Sequence, residues 1–221
     1  MTLVYTVGRG SCWQDNELRI SIRSMCKNTP VKRIIIVGHK PAFIVNVTHI
    51  PYPDGPRKAL NIHQKTLLAS KEVEEFVQAA DDHFVLKPTD FETYFHGGLI
   101  SEKRYTGSYA KVTYNTRRVL PDGLFFNLHM PMKMKSERYR EIMSGYDWDH
   151  TDYLIKSLYA NNEKVEGVQS RDCKVRNFMR RNQIDKFVEG RTFLSVSDSG
   201  LSQDMRRFLL ESFPDKSSFE L

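Results

Sequence analysis

The run Arg33-Ile34-Ile35-Ile36-Val37-Gly38-His39 restricts the fold of this chain more than any other feature. Its consecutive β-branched residues leave no polar face for solvent, as expected of a parallel strand covered on both sides. A first β-branched strand precedes it at Leu3 to Val7, and between the two lies a helix from about Asp15 to Lys27. Asp15 is the expected N-cap, and Leu18, Ile22, Met25 and Cys26 recur at helical spacing. Strand, helix and strand in this order predict a right-handed βαβ unit. A third strand, Val45 to Ile50, runs into the breaker-rich loop Pro51-Tyr52-Pro53-Asp54-Gly55-Pro56, and a second helix is expected from Arg57 to Ser70. The fold class that follows is α/β: one domain over residues 1–221, with a mainly parallel central sheet flanked by helices.

The next apolar segment is where chemistry is expected. Phe76 to Leu86 carries Asp81, Asp82 and His83 between two apolar runs, and in α/β sheets ligands gather at the carboxyl edge of the strands. Adjacent acids there repel one another unless a cation lies between them. Hard oxygen ligands favour Mg2+ or Mn2+, and an imidazole favours Mn2+ of the two. A turn with solvated acids and a half-buried histidine fits the same residues. Gly8-Arg9-Gly10-Ser11, after the first strand, lets backbone approach a phosphate or a base. Asp15, Arg19, Arg23 and Lys27 repeat every four residues, which suits either an ion-paired solvent stripe or an anion site. Asn61, Gln64 and Lys65 share one helical turn, with Lys65 placed to meet a phosphate or to face solvent.

Farther on, Asp90, Tyr94, His96, Gly97 and Gly98 form an aromatic and glycine-bearing loop of a kind that receives substrates. An apolar strand is expected from Leu124 to Leu128, delivering His129 as a metal ligand or as a hydrogen-bonded core residue. Helices are expected at Ser136 to Met143 and Asp149 to Tyr159. The group Asp147-Trp148-Asp149-His150 offers acid–base residues, or in Asp149 simply a cap. A late strand at Phe193 to Val196 and a helix capped by Ser202 complete the elements.

Composition narrows the class. With 40% hydrophobic and 27% charged residues, the 221-residue chain builds one sizeable core. A net charge of +6 favours an acidic partner such as nucleic acid or nucleotide phosphates. Tyr105, Tyr109 and Tyr114 stand among basic residues between Lys103 and Arg118, which fits a noncatalytic nucleic-acid-binding module or duplex DNA as an acceptor. Three cysteines without a CxxC pair argue against a disulfide framework or zinc ribbon and fit a reducing, cytoplasmic setting. No signal segment, membrane span, repeat or interdomain linker is expected, and no obligate protein partner is evident.

Taken in order, several segments resemble the blocks of Stealth-type sugar-phosphate transferases and, more widely, GT-A-like nucleotide-sugar glycosyltransferases. Asp15-Asn16-Glu17-Leu18-Arg19-Ile20-Ser21-Ile22-Arg23-Ser24 is similar to the Stealth block that opens the first helix, and Arg33 to Pro41 to its following strand and glycine turn. Asp81-Asp82 stands where that family carries Asn-Asp-Asp, with Ala80 in place of asparagine, and His129-Met130-Pro131 matches a later block. The chain also looks, more loosely, like small phage-encoded glycosyltransferases, some of which modify DNA bases. The resemblance implies a Rossmann-like nucleotide half, residues 1–100, and an acceptor half, residues 101–221. It places Thr6, Gly8, Arg9, Gly38, His39 and Lys40 near the nucleotide of a UDP-sugar, with Asn61 beside it. Asp81 and Asp82 hold Mn2+ or Mg2+ on the diphosphate, Arg19 and Lys65 stabilise the leaving group, and His83 or His129 completes the metal sphere. An inverting enzyme also needs a base, for which Asp147 and Asp149, then His96, are expected.

Overall fold

The computed structural model describes residues 1–221. In chain order its elements are β1 (Thr2–Val7), α1 (Asn16–Asn28), β2 (Arg33–Gly38), β3 (Thr48–Ile50), α2 (Lys58–Ala69), β4 (Glu75–Ala79), β5 (His83–Val85) and β6 (Tyr94–His96). There follow α3 (Gly107–Val119), β7 (Met132–Lys135), α4 (Ser136–Ser144), α5 (Ile155–Asn162), β8 (Gly167–Gln169), β9 (Lys174–Val175), α6 (Arg181–Val188), β10 (Phe193–Val196) and α7 (Gln203–Ser212). The fold is α/β, and its central sheet has the order β3-β2-β1-β4-β7, parallel except for β7. No helix is long and apolar enough to cross a membrane.

Strand order explains which helix covers which face. The chain moves outward from β1 to β2 and β3, then returns past β1 to β4, so right-handed crossovers put α1 and α2 on opposite faces. Side chains obey the period of two: Leu3, Tyr5 and Val7 pack with Leu18, Ile22 and Met25, whereas Val4, Ile35 and Val37 pack with Ala69 and with α4 and α5 residues such as Tyr139 and Leu158. The reversal falls between β1 and β4. In open α/β sheets that switch point leaves a crevice at the carboxyl ends of the strands.

A second sheet, β5-β10-β9, stacks on the far side of α1, so this helix is buried on both flanks and sends Ile20 into a third core with Phe84, Leu194 and Leu209. The free edge of β5 is stitched to α1 instead of to another strand. Val85 N–H donates to Ser24 Oγ (3.0 Å), Asn28 Nδ2 donates to Val85 O (2.7 Å), and Ser21 Oγ donates to His83 O. The basic stripe of α1 is likewise engaged by protein: Arg23 pairs with Glu220 at 2.8 Å and the exposed Lys27 donates to Ser212 O at 3.0 Å.

Three local expectations are corrected. Residues 124–128 are extended but form no strand beyond a bridge of Leu124 to Leu99. Asn161 binds both the N–H and the C=O of Leu124 at 2.8 Å, and Ser157 Oγ accepts from Phe126 N–H at 3.0 Å, so α5 replaces the missing strand. Asn161→Ala is therefore expected to cost about 1–3 kcal/mol, with faster amide exchange confined to residues 124–128; an unchanged melting temperature and exchange rate would contradict this role. The helix expected from Asp149 begins only at Ile155, because Asp147 accepts from Asp149 N–H and His150 N–H and closes a turn. Asp15 has a positive φ of 58° and makes no side-chain cap.

Candidate functional site

The turn Ala80-Asp81-Asp82 directly follows β4 and faces the loop after β1 across the switch point. That loop is organised by Ser11, whose Oγ accepts from Trp13 N–H (3.0 Å) and Asp15 N–H (2.7 Å) and donates to Glu17 at 2.7 Å. Glu17 is buried in the first turn of α1. The crevice thus holds Glu17, Asp81 and Asp82, a concentration of acid in a chain of net charge +6.

The two aspartates differ sharply. Asp82 is spoken for on one oxygen: its Oδ2 receives Lys174 Nζ at 2.6 Å and Ser195 Oγ at 3.0 Å. Burial alone would raise its pKa, yet the neighbouring Lys174, bonded to it, helps bring it below the ordinary carboxylate value. Asp81 has no hydrogen-bonding or ionic side-chain partner. Burial, then the charges of Asp82 and Glu17, push its pKa up to about 7.

The two expected histidines stand differently. His83 is buried, and its Nδ1 accepts the Ala80 N–H at 3.3 Å, so the ring hydrogen sits on Nε2, which lies 3.8 Å from Asp82 Oδ1. Burial pulls its pKa down to about 3, leaving a neutral ring with no free lone pair for an ion. His83 is a packing residue in this arrangement. His129 is the converse case. Its Nδ1 donates to Asp172 Oδ2 at 2.8 Å and its N–H to Asp172 Oδ1 at 3.0 Å, while Arg176 braces the same carboxylate at 2.9 Å. A carboxylate only accepts, so Nδ1 carries the hydrogen and Nε2 keeps its lone pair. Burial lowers the His129 pKa, partly offset by Asp172. Lys156 closes the floor, its Nζ donating to the carbonyls of Leu128 and Met130, and burial lowers its pKa to about 8.

Along the β1–β2 edge the remaining expected residues are mostly tied to the protein. Lys65 is buried, with Nζ 2.7 Å from Val7 O and 2.6 Å from Asp54 Oδ1, so its ammonium braces the edge and is not offered to a phosphate. Asn61 pins the loop before α2 through both backbone groups of Gly55, at 3.0 and 2.7 Å. His39 Nε2 lies 3.3 Å from Asp15, and Lys40 donates to Ile44 O at 2.7 Å. Thr6, Gly8 and Gly38 close the edge, and Arg9 is exposed. Arg19 is different: its guanidinium lies 3.9 Å over Phe43, 3.8 Å from Glu220, and its buried Nε has no hydrogen-bond partner.

The residues expected to act as acceptor base are not drawn to the turn by any hydrogen bond or ion pair. Asp147 and Asp149 flank Trp148 in an exposed turn, where Asp147 contacts His150 and Asp149 O receives Arg57. His96 lies in β6, its Nδ1 accepting from Gly98 N–H at 3.1 Å. Asp81, Asp82, His83 and His129 do not gather their ligand atoms tightly; the three donors whose ligand atoms lie within 4.8 Å of one another are Cys12, Glu17 and Asp198. Sequence reasoning passed over Asp172, Lys174 and Ser195. Their signal, a polar residue at alternate positions of short strands, is too weak to read before the pairing is known.

No protein-family model matches the chain, and no curated protein matches it. Among solved structures, the crystal structure of a glycosyltransferase involved in the glycosylation of the major capsid of PBCV-1 is similar over 95% of this chain and 98% of that one, with a TM-score of 0.43 and 10% identity. An overlap this loose identifies no family, and the functional reading rests on the geometry of the crevice.

Proposed function

We propose that the chain is a glycosyltransferase that binds a UDP-linked sugar with Mn2+ or Mg2+ in the crevice between β1 and β4 and transfers the sugar to an acceptor hydroxyl. The observation that carries this reading is the unpaired Asp81 carboxylate in an acid-rich, half-buried turn at the switch point. In type the donors suit a hard divalent ion, namely both oxygens of Asp81, Oδ1 of Asp82 and the free Nε2 of His129, although they are not gathered around one point and would have to close in on it. A cation held there supplies positive charge against the departing diphosphate. Arg19, in the first turns of α1, could reach phosphate oxygens only through its terminal guanidinium nitrogens, because its Nε is buried beside Glu220. The backbone of Gly8 to Ser11 lets the diphosphate approach the sheet edge. In the transfer, the bond from the anomeric carbon to the phosphate oxygen breaks with its electron pair leaving on the diphosphate, and the acceptor oxygen takes the carbon and loses its proton. That proton passes to solvent: His96, whose Nδ1 already accepts the Gly98 N–H so that its ring hydrogen sits on Nε2, has no free lone pair, and it is given no step, nor are Asp147 and Asp149. A hydroxylated base in DNA is the acceptor class that the net charge of +6 favours.

Incubation with Mn2+ and a panel of UDP-sugars is expected to release UDP and to raise the melting temperature. Release of UMP would instead indicate transfer of sugar 1-phosphate. No turnover and no thermal shift with any nucleotide sugar would overturn the proposal.

A further inference from the structure

The segment from Lys103 to Arg118 holds five Lys or Arg residues, three tyrosines and no acid; Glu102 and Asp122 flank it from outside. In the fold it becomes the turn leading into α3 and most of that helix. Only Thr113 and Thr116 of α3 are buried, with Val112 and Asn115 partly buried beside them, and Lys111, Tyr114, Arg118 and Val119 are exposed. The basic residues are not neutralised by acids. Lys103 and Arg104 donate to the carbonyls of Gly97 and Ser101, and Arg117 lies 5.6 Å from the Tyr114 ring. Lys111, Tyr114 and Arg118 share one exposed stripe at helical spacing, with Tyr114 52% exposed. At the helix entry Tyr105 and Tyr109 stand edge to face, their centroids 4.8 Å apart, and both remain exposed. One side of the pair packs on the protein, with the Tyr105 ring 5.8 Å from that of Phe125, and burial raises both phenol pKa values.

Uncompensated cations beside exposed aromatic rings have a specific chemical complement. The cations attract phosphates without reading sequence, and the rings take bases whose faces are open. A duplex hides those faces, so tyrosines on a basic helix favour unpaired strands. We infer that the α3 face, from Arg104 to Arg118, is a binding surface for single-stranded nucleic acid. It spans about 20 Å along the helix, enough for a short run of nucleotides. This surface is independent of donor chemistry, since binding there needs neither Mn2+ nor a UDP-sugar; it bears on the proposed transfer only in leading an unpaired strand toward the crevice.

The test is fluorescence anisotropy in EDTA with a labelled 12-nucleotide single strand, the matching duplex, and a sulfated polymer as a polyanion without bases. The single strand is expected to bind more tightly than the duplex at equal salt. Tyr114→Ala is expected to weaken it about 5- to 150-fold, the loss of one stacked base, with the salt slope unchanged. Lys111→Ala/Arg118→Ala is expected to reduce the slope of log K against log salt by about 1.4, two phosphate contacts on a single strand. Both variants change exposed side chains, and circular dichroism checks that they fold. Equal affinity for all three ligands with no effect of Tyr114→Ala would reduce the face to nonspecific polyanion attraction. Preference for the duplex, or no binding at low salt, would also overturn the inference.

Discussion

Asp81→Asn is expected to raise the melting temperature at pH 8 in EDTA and to remove most of the stabilisation that Mn2+ gives the unsubstituted protein. The sign follows from the raised pKa, about 7 in the fold against an ordinary value of 3.8. The folded state holds the proton more tightly than the unfolded chain, so the contribution of Asp81 to stability is fully present below pH ~4 and is lost as pH rises through ~7. The shift corresponds to at most about 4 kcal/mol; for a carboxylate that keeps some contact with solvent, about 1–3 kcal/mol is the expected loss at pH 8. In a chain of this size each kcal/mol moves the melting temperature by roughly 2–4 °C. Asparagine has no charge to bury, so at pH 8 it restores that amount, and at pH 5, where Asp81 is already protonated, it changes little. A divalent ion must displace the same proton, so Mn2+ is expected to stabilise the unsubstituted protein at pH 8 and far less at pH 5. Loss of a direct ligand is expected to weaken metal binding by about 100-fold or more, since even supporting residues are worth 10- to 100-fold. Scanning fluorimetry of both proteins at the two pH values, with and without Mn2+, gives the comparison. An Mn2+ shift equal at pH 5 and pH 8, or surviving in the variant, would sink the assignment of Asp81.

The N-terminal half was legible because its signals are local. Consecutive β-branched residues mark β1 and β2, helical spacing marks α1 and α2, and the structure moves those ends by only a residue or two at most positions. The position of Asp81 and Asp82 at the end of β4 was legible for the same reason. What decides their chemistry was not. Lys174 and Ser195 reach Asp82 across sequence separations of 92 and 113 residues, and Asp172 reaches His129 across 43. Such pairings follow from how β9 and β10 stack beside β5, which no local pattern encodes. Residues 124–128 failed in the opposite way. Their apolar run looks like a strand, but Ser157 and Asn161 supply the hydrogen bonds a neighbouring strand would. Lys65 shows the limit of spacing arguments, because a lysine facing a phosphate-binding edge and one bracing that edge from beneath occupy the same helical turn.

Gly38→Ala is expected to be among the most damaging substitutions in the chain, and it tests whether that brace shapes the crevice. Gly38 has φ +110°, a region that side chains rarely adopt, and a Cβ there would lie 2.1 Å from Val7 O and 2.9 Å from Lys65 Cε and Nζ. Val7 O is the acceptor for Lys65 Nζ at 2.7 Å and for His39 N–H at 3.2 Å, so the methyl group must push β1 and β2 apart beside the switch point or eject the ammonium. An ejected ammonium leaves a buried carbonyl without its donor and separates Lys65 from Asp54. Strain and lost hydrogen bonds together are expected to cost about 4 kcal/mol or more, a fall in melting temperature of roughly 10 °C. Gly10→Ala is the control: Gly10 has a similar φ of +105° but nothing within 4 Å of its Cβ position, so it carries the backbone strain without the collision. That variant is expected to lose only about 1–2 kcal/mol. If the two alanine variants melt alike, the Val7–Gly38–Lys65 contact is not what holds the sheet edge together. A larger loss in Gly38→Ala, accompanied by weakened UDP-sugar binding in whatever fraction stays folded, would tie the brace beneath the edge to the shape of the crevice above it.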